Sequence, residues 1–401
     1  MGVESRLAKR THLLSPSATL AITSKAKRLK AEGRDVVNLA AGEPDFDTPD
    51  FVKEAAVAAI KQGFTKYTPT TGTPELKQAA CEKFRKDNGL DYSPAQIVVS
   101  CGAKHSIFNA LFVLLGPGEE ALIPSPYWVS YPEMVQLCGA VPRFIPAEAE
   151  NNFKITAAQL RRHLSARSKV FILNSPSNPT GCVYTRAEIS ELAAVCAEKG
   201  IFIISDEIYE KIIFDGLRPF SPAALGKDVY ELTVTVNGLS KSHSMTGWRI
   251  GYLGAHPAVA AAISSLQDHT TSNPTSIAQK AALAALQQQD GFTQQMCAEF
   301  EKRRDFACSR IAKMGKISCV RPQGAFYIFC DIAKTGLGSA VFANRLLEEE
   351  SVALIPGEGF GRDDFARISF ATSIEQLEKG LDRIERWLNN ISATDDRGKN
   401  T

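Results

Sequence analysis

The sequence predicts an α/β fold, in which helices cover both faces of a mainly parallel β-sheet and a smaller α+β domain is attached. The first observation is a set of continuous apolar runs, KVFILN, IFIIS and TVTV, which is typical of strands buried on both faces. The second is the helices between them, because capping boxes at Thr156 with Gln159 and Thr185 with Glu188 begin two helices and Gly200 ends the second. Strands that alternate with helices in this way indicate a parallel sheet.

Threonine and proline mark where further helices begin. We expect a helix over residues 17–32, and both Thr48-Pro49 and Thr73-Pro74 read as an N-cap followed by proline at the first helical position.

Four segments follow from these patterns. Residues 1–46 are predicted to be an N-terminal segment of the small domain, 47–295 the large domain, 296–390 the small C-terminal domain and 391–401 a disordered tail.

Size and charge exclude several classes of protein. The chain has 401 residues, is 44% hydrophobic and carries a formal net charge of +2, which gives no field for nucleic acid or an anionic membrane. No apolar run approaches the length of a membrane span, and the N-terminus lacks the apolar core of a signal peptide. Nine cysteines without a C-x-x-C pair indicate buried, reduced thiols and no metal site. A cytoplasmic protein is therefore expected.

The stretch LTVTVNGLSKSHSMTGWRIGYLGA holds the main candidate for chemistry. A buried strand ends at Asn237-Gly238 and is followed by Ser240 and Lys241, and Arg249 comes eight residues after the lysine. In open α/β sheets ligands bind where strands end, and a lysine among apolar neighbours loses its proton easily, as an amine nucleophile must. A titratable amine beside a fixed cation suits pyridoxal phosphate (PLP). The alternative is a surface lysine between two strands.

Other predicted strands also end in polar residues. Asp206 ends an apolar strand with Tyr209 three residues later, and Asn178 lies in the turn after KVFILN. A buried carboxylate needs a cation or a donor as its partner. In PLP chemistry Asp206 holds the pyridine nitrogen protonated, while Asn178 and Tyr209 donate to the phenolate oxygen. Lys241 forms the Schiff base with the cofactor.

Two further stretches suit the rest of such a cofactor. Gly102, Ala103 and Lys104 begin a helix after a strand, where free N–H groups bind a phosphate together with Arg249. Trp128 follows another strand and can cover a flat ring. The alternatives are an ordinary turn between strand and helix, and an indole that packs in the core.

Several stretches resemble the motifs of PLP-dependent transferases of fold type I, over most of the chain. They are AAGEPDFDTP, KYTPTTG, SPYWVSYPEM, NSPSNPTG, SDEIYE, NGLSK with MTGWRIGY, and ARISFAT. The closest resemblance is to the aspartate aminotransferases of subgroup Iβ, some of which also use prephenate. The resemblance implies that Arg367 binds the substrate α-carboxylate with a backbone contact from Gly42. It also implies a homodimer with shared active sites, in which Tyr67 reaches the cofactor phosphate of the other subunit.

The resemblance implies a ping-pong transfer of the amino group of aspartate to 2-oxoglutarate, giving oxaloacetate and glutamate, with Lys241 as proton shuttle. Lys104 would pair with the distal carboxylate of the substrate, helped by Thr19. Two stretches depart from the pattern: Ser15 stands where prephenate-using relatives carry a basic residue, and the run 242–244 (SHS) replaces a mostly apolar one. Aspartate with 2-oxoglutarate is therefore the first prediction and prephenate an additional substrate ranked after it. An aromatic or alanine aminotransferase or a PLP-dependent lyase of the same fold remains the alternative.

Overall fold

The structure, a computed structural model, describes residues 6–13, 18–288 and 291–391. Its strands are β1 (Val37–Asn38), β2 (Ile97–Ser100), β3 (Glu120–Ser125), β4 (Val141–Pro146), β5 (Ser168–Asn174), β6 (Phe202–Asp206), β7 (Thr233–Gly238), β8 (Gly251–Gly254), β9 (Ser318–Cys319), β10 (Tyr327–Asp331), β11 (Val352–Ala353), β12 (Ile355–Pro356) and β13 (Phe365–Ser369). Its α-helices are α1 (Ala18–Ala31), α2 (Asp50–Lys61), α3 (Pro74–Lys83), α4 (Ala103–Leu114), α5 (Ser130–Leu137), α6 (Ala157–His163), α7 (Arg186–Lys199), α8 (Lys227–Leu232), α9 (Pro257–Asp268), α10 (Ser276–Gln287), α11 (Phe292–Ile311), α12 (Ser339–Glu350) and α13 (Ile374–Asn390).

The large sheet confirms the predicted fold class. Among the described residues it has seven strands in the order β2-β8-β7-β6-β5-β3-β4, and only β8 runs antiparallel to its neighbours. The pairing of β5, β6 and β7 sets Asn174 opposite Asp206, and Asp206 opposite Val236. Because these strands are parallel, the predicted chemistry at their ends lies along one edge of the sheet.

The local signals for helix starts are mostly confirmed. Thr73 Oγ1 accepts a hydrogen bond from Leu76 N (3.3 Å), and both predicted capping boxes form, before α6 and before α7. The prediction for Thr48 is wrong. Its hydroxyl donates to Ser244 O (2.7 Å) and accepts from Trp248 Nε1 (3.0 Å), so it fastens the start of α2 to the segment after Lys241.

Two smaller sheets complete the described chain. The strands β12, β13, β10 and β9 form an antiparallel sheet, and β1 pairs in parallel with β11. The second pair joins the N-terminal segment to the C-terminal part of the chain. The domain bounds themselves stay a prediction, and the tail predicted to be disordered lies outside the described residues except for Ile391.

The sequence also predicts that no segment spans a membrane and that the cysteines form no metal site. Within the described ranges no helix combines the length and apolar character that crossing a membrane requires. The same residues contain no group of three or more histidine, cysteine or acidic side chains arranged to hold a metal ion. The cytoplasmic location stays a prediction.

Candidate active site

Lys241 lies in the irregular segment that follows β7, close to the edge of the large sheet. Its side chain is half-buried, and its Nζ donates to Gly42 O (2.5 Å) in the segment after β1. The surrounding protein takes the amine out of water, and this burial lowers the pKa of Lys241 to about 8, against the opposing effect of the Glu43 carboxylate. A sizeable fraction of the amine is therefore unprotonated near neutral pH and can act as a nucleophile.

Asp206 ends β6 and is buried. Its Oδ2 accepts a hydrogen bond from the Tyr131 hydroxyl (2.6 Å), and its Oδ1 accepts a longer one from Ile208 N (3.3 Å). Burial raises the pKa of Asp206, while the hydrogen bonds from Tyr131 and Ile208 and the charge of Lys241 lower it. The carboxylate has acceptor capacity left for a further donor, such as a protonated ring nitrogen.

Tyr209 lies in the turn that follows β6, three residues after Asp206, and is also buried. Its hydroxyl lies 2.9 Å from the hydroxyl of Tyr327 on β10. Lys241 Nζ is 5.8 Å from the centre of the Tyr209 ring and 5.7 Å from that of Phe326. The lysine amine is therefore enclosed by aromatic rings contributed by both the large sheet and the small one.

Arg367 on β13 is only 2% exposed. Its Nη1 donates to Asn178 Oδ1 (2.9 Å) and its Nη2 to Ala40 O (3.1 Å), and its guanidinium lies 4.2 Å from the centre of the Tyr327 ring. Within the described residues Arg367 Nε has no hydrogen-bond partner. A buried donor without a partner is costly, so this cation is ready to receive an acceptor such as a carboxylate.

The turn between β2 and α4 packs closely against Arg249. Gly102 has φ +92°, and a Cβ there would lie 2.6 Å from Arg249 Nη2. A Cβ on Gly251 would lie 2.2 Å from Ala103 N. Both glycines are thus needed for the guanidinium and the strand to pack against the N-terminus of α4. The N–H groups of that first turn, the helix dipole and the arginine together favour a phosphate.

Lys104 and Trp128 lie beside this turn. The Lys104 ammonium is 4.9 Å from the centre of the Trp128 ring, which packs edge-on against Tyr131 at 5.3 Å. Burial, and next the charge of Arg249, lower the pKa of Lys104. The indole therefore stands between the cation and the residues around Asp206.

Ser240 directly precedes Lys241 and is buried, whereas Tyr67 stands apart from this cluster and is 90% exposed. Thr19 falls within α1, but its side chain is not described, and Ser15 lies outside the described residues.

The polar run 242–244, which departs from the family pattern, makes hydrogen bonds within the protein. Ser242 Oγ lies 2.9 Å from His243 Nδ1, and Ser242 O accepts from Thr293 Oγ1 (2.9 Å). This polar run fastens the lysine segment to α11.

Sequence reasoning missed Tyr131 and Tyr327. Tyr131 was inside a quoted motif, and the need of the buried Asp206 for a donor was a signal that could have found it. Tyr327 gave no signal, because its contact with Tyr209 joins residues 118 positions apart on two sheets.

Comparison with known proteins identifies the family of the chain. Residues 34–384 match the family model for aminotransferase class I and II. The chain is 48% identical over 388 residues to the aspartate aminotransferase of Geobacillus stearothermophilus, covering 96% of this chain and 99% of that one. It is 45% identical over 391 residues to the probable aspartate/prephenate aminotransferase of Aquifex aeolicus, covering 96% and 99%.

The fold also matches solved structures. The aspartate aminotransferase of Thermus thermophilus with maleate has a TM-score of 0.92 and is 42% identical, covering 95% of this chain and 99% of that chain. A matching family model over most of the chain, these identities and the shared fold lead to one conclusion: the chain belongs to the class I and II aminotransferase family.

Proposed function

We propose that the protein transfers the amino group of aspartate to 2-oxoglutarate, with pyridoxal phosphate as its cofactor. The observation that carries the proposal is the meeting of Lys241 and Arg367 at one segment. Gly42 O accepts from the lysine amine and Ala40 O accepts from the guanidinium, so a reactive amine and a cation with an unpaired donor face one site. An amino acid offers both an amine and a carboxylate to such a pair.

The residues present fit pyridoxal phosphate. Gly102, Arg249 and the first turn of α4 would hold the phosphate, with Ala103 and Lys104 contributing N–H groups, and Ser240 would add a contact next to Lys241. Trp128 would cover the ring. Asp206 would accept from the ring nitrogen, and the Asn178 amide and Tyr209 hydroxyl would donate to the phenolate oxygen. Asn178 Oδ1 already accepts from Arg367, which leaves its Nδ2 as the donor.

Bound pyridoxal phosphate supplies an aldehyde that condenses with amines and a ring that takes up the electrons of a broken Cα–H bond. The side chains of the protein do the rest. Arg367 binds the substrate α-carboxylate and so fixes the Cα, helped by the backbone of Gly42. Lys241, with a pKa of about 8, is matched to take a proton from Cα and to return one near neutral pH. Asp206 keeps the ring nitrogen protonated through its negative charge.

Lys104 supports a dicarboxylic substrate. Its ammonium stands near the Trp128 ring, next to the phosphate turn, where a second carboxylate of the substrate would find a cation. Relatives named aspartate aminotransferase and a matching structure with maleate, a dicarboxylate, support the same choice. Thr19 would help from α1. Relatives named aspartate/prephenate aminotransferase make prephenate the second substrate to test.

Borohydride reduction of the purified protein, followed by peptide mapping, tests the cofactor assignment. We expect a pyridoxyl group on Lys241, and a label on another lysine or the lack of a visible absorbance band would contradict the proposal. A panel of amino donors with 2-oxoglutarate, and prephenate as an alternative acceptor, tests the substrates. Preference for an aromatic amino acid or alanine would move the chain to another specificity, and loss of a substituent in place of amino transfer would indicate a lyase.

Lys104→Ser tests the role of the second cation. We expect kcat/KM for aspartate to fall by about 10- to 100-fold, since a charge-assisted hydrogen bond contributes about 1.5–3 kcal/mol. The kcat/KM for alanine should change little. Lys104→Arg, which keeps the charge, should retain more activity with aspartate than Lys104→Ser. Measured at saturating pyridoxal phosphate, an equal loss for both donors would instead place Lys104 with the cofactor phosphate.

Tyr67 supports a homodimer with shared sites. In the described part of the chain its hydroxyl makes no hydrogen bond, and 90% of its surface is exposed, which suits a residue that completes the site of a second subunit. Mixed dimers of Lys241→Ala and Tyr67→Phe subunits test this. If sites are shared, one of the two sites in each mixed dimer has both wild-type residues, and its activity exceeds that of either parent. No gain after verified subunit exchange would exclude sharing.

A further inference from the structure

Tyr327 contacts two residues of the active site, Tyr209 and Arg367, although it has no place in the function proposed above. It lies at the start of β10 and is fully buried. Its hydroxyl is 2.9 Å from that of Tyr209 and 3.9 Å from the position of a Cβ on Gly42, and its ring lies 4.2 Å from the Arg367 guanidinium. The residue therefore has two parts, a hydroxyl that meets Tyr209 and a ring that supports Arg367.

Which tyrosine donates in the hydrogen bond between Tyr209 and Tyr327 is determined once the Tyr209 hydroxyl donates to another acceptor. A phenol has one hydrogen to donate and two lone pairs to receive with. When Tyr209 donates to the ring oxygen of the cofactor, the hydrogen between the two tyrosines comes from Tyr327. A donor that itself accepts a hydrogen bond is polarised and becomes a stronger donor.

The ring part acts on the other end of the substrate. Arg367 has lost most of its contact with water and rests on the Tyr327 face at 4.2 Å and near the Phe360 ring at 5.2 Å. Such cation–π contacts hold a guanidinium in one orientation. The orientation matters because Nη1 and Nη2 are already engaged by Asn178 and Ala40.

We propose that Tyr327 is a positioning residue with two separable roles: its hydroxyl strengthens the hydrogen bond from Tyr209 to the cofactor's ring oxygen, and its ring orients Arg367 for the substrate carboxylate. The inference rests on the proposed function, because it requires a cofactor oxygen in front of Tyr209.

The hydroxyl role is tested by titrating the visible absorbance of the holoenzyme. A hydrogen bond to the ring oxygen stabilises the form that has lost its proton and so lowers the pKa of the bound cofactor. Tyr327→Phe weakens that bond, and we expect the pKa to rise by about 0.1 to 0.7 unit, since a neighbouring hydrogen bond strengthens a charge-assisted one of about 1.5–3 kcal/mol by about 10–30%. Tyr209→Phe should raise it further.

The double variant decides whether Tyr327 acts through Tyr209. In a Tyr209→Phe background, Tyr327→Phe should leave the absorbance pKa unchanged, because no phenol remains to relay its effect. Tyr92→Phe is the matched control, since the hydroxyl of this buried tyrosine lies 3.0 Å from Thr235 Oγ1, which is not a residue of the site. Additive shifts, or no shift in Tyr327→Phe alone, would overturn the hydroxyl role. Absence of a visible band in the wild type would instead contradict the proposed function.

The ring role is tested by comparing Tyr327→Phe with Tyr327→Leu. Phenylalanine keeps the face under Arg367, so KM for aspartate and for alanine should stay near wild type. Leucine removes it, and we expect KM to rise about 3- to 10-fold for both donors, from a contact of roughly 0.5–1 kcal/mol or more when desolvated. Equal KM values in the two variants would overturn the ring role. If the leucine variant does not fold, Tyr327→Trp, which keeps an aromatic face but not the hydroxyl, takes its place. A KM near that of the phenylalanine variant would then support the ring role, and a KM raised for both donors would overturn it.

Discussion

Asp206 and Glu207 are consecutive acidic residues at the end of β6, both buried, but they lie in different surroundings. Asp206 meets Tyr131 and faces Lys241, whereas Glu207 belongs to a polar cluster on the other side of the strand. There Glu207 Oε1 accepts from Ser205 Oγ (2.7 Å) and Ser221 Oγ (2.8 Å), and Oε2 accepts from Asn88 Nδ2 (3.1 Å). Successive side chains along a strand point to opposite faces, which separates the two carboxyl groups.

The comparison teaches that burial alone does not identify a catalytic acid. Burial raises the pKa of both residues, and for Glu207, with the nearby Glu210 adding to it, the pKa reaches about 8. The difference is in the partners. Among the described residues Glu207 accepts three hydrogen bonds from protein donors, whereas Asp206 accepts two, and the one to its Oδ1 from Ile208 N is long at 3.3 Å. Acceptor capacity that the protein leaves unused is what indicates a ligand.

The largest expected effect comes from neutralising each acid in turn. Asp206→Asn keeps the size of the side chain but removes the charge that we propose holds the ring nitrogen of the cofactor protonated, and we expect kcat/KM for aspartate to fall about 100- to 1000-fold, the usual cost of losing a buried electrostatic contact. Glu207→Gln should retain wild-type kcat/KM. Steady-state kinetics of the two variants at saturating pyridoxal phosphate measure the contrast. Comparable losses in both would show that the two sides of β6 are not functionally distinct.

The comparison also shows what the sequence could reveal. Asp206 and Lys241 were predicted because each directly follows an apolar strand, and the capping boxes before α6 and α7 were predicted because they are contacts over three residues. Local patterns of this kind involve residues of one element, so the contacts that they predict do not depend on how distant segments pack.

Contacts between distant segments could not be predicted in this way. The bond from Tyr131 to Asp206 joins residues 75 apart, and the bond from Thr48 to Ser244 joins residues 196 apart. Thr48 had the pattern of an N-cap, but a tertiary partner took its hydroxyl. Such pairs are determined by strand register and by packing between sheets. The spacing of residues along one sequence does not reveal them.

A smaller effect is expected from the hydrogen-bond partners of the two acids. Tyr131→Phe removes the 2.6 Å bond to Asp206 Oδ2, and kcat/KM should fall about 10- to 100-fold, because hydrogen bonds to charged groups contribute about 1.5–3 kcal/mol. Ser221→Ala removes a partner of Glu207 and should affect only the free energy of unfolding. Kinetics and urea unfolding of both variants test the assignment. Unchanged kinetics in Tyr131→Phe would mean that Asp206 needs no support from its neighbour.

The last expected effect is on the pH dependence of stability, and it concerns Glu207. Its pKa is about 8 in the folded protein and about 4.3 in an unfolded chain. Between these values the folded state holds more protons than the unfolded state, so the free energy of unfolding decreases as pH rises, by at most about 1.4 kcal/mol per pH unit. Below about pH 4.3 the residue contributes no slope, and above pH 8 the whole loss is present. Glu207→Gln cannot ionise, so this decrease should be absent.

Urea unfolding of the wild type and of Glu207→Gln between pH 5 and 9 measures the difference. The charged groups around Glu207, which are Glu210, Lys83 and Asp87, are present in both proteins, so the difference between their curves isolates one carboxyl group. Glu54→Gln on the exposed face of α2 is the control, and its curve should run parallel to that of the wild type. If the curve of Glu207→Gln also ran parallel, Glu207 would be ionised in the folded protein, and its neighbours Asn88, Ser205 and Ser221 would hold a carboxylate as effectively as Tyr131 and Ile208 hold that of Asp206.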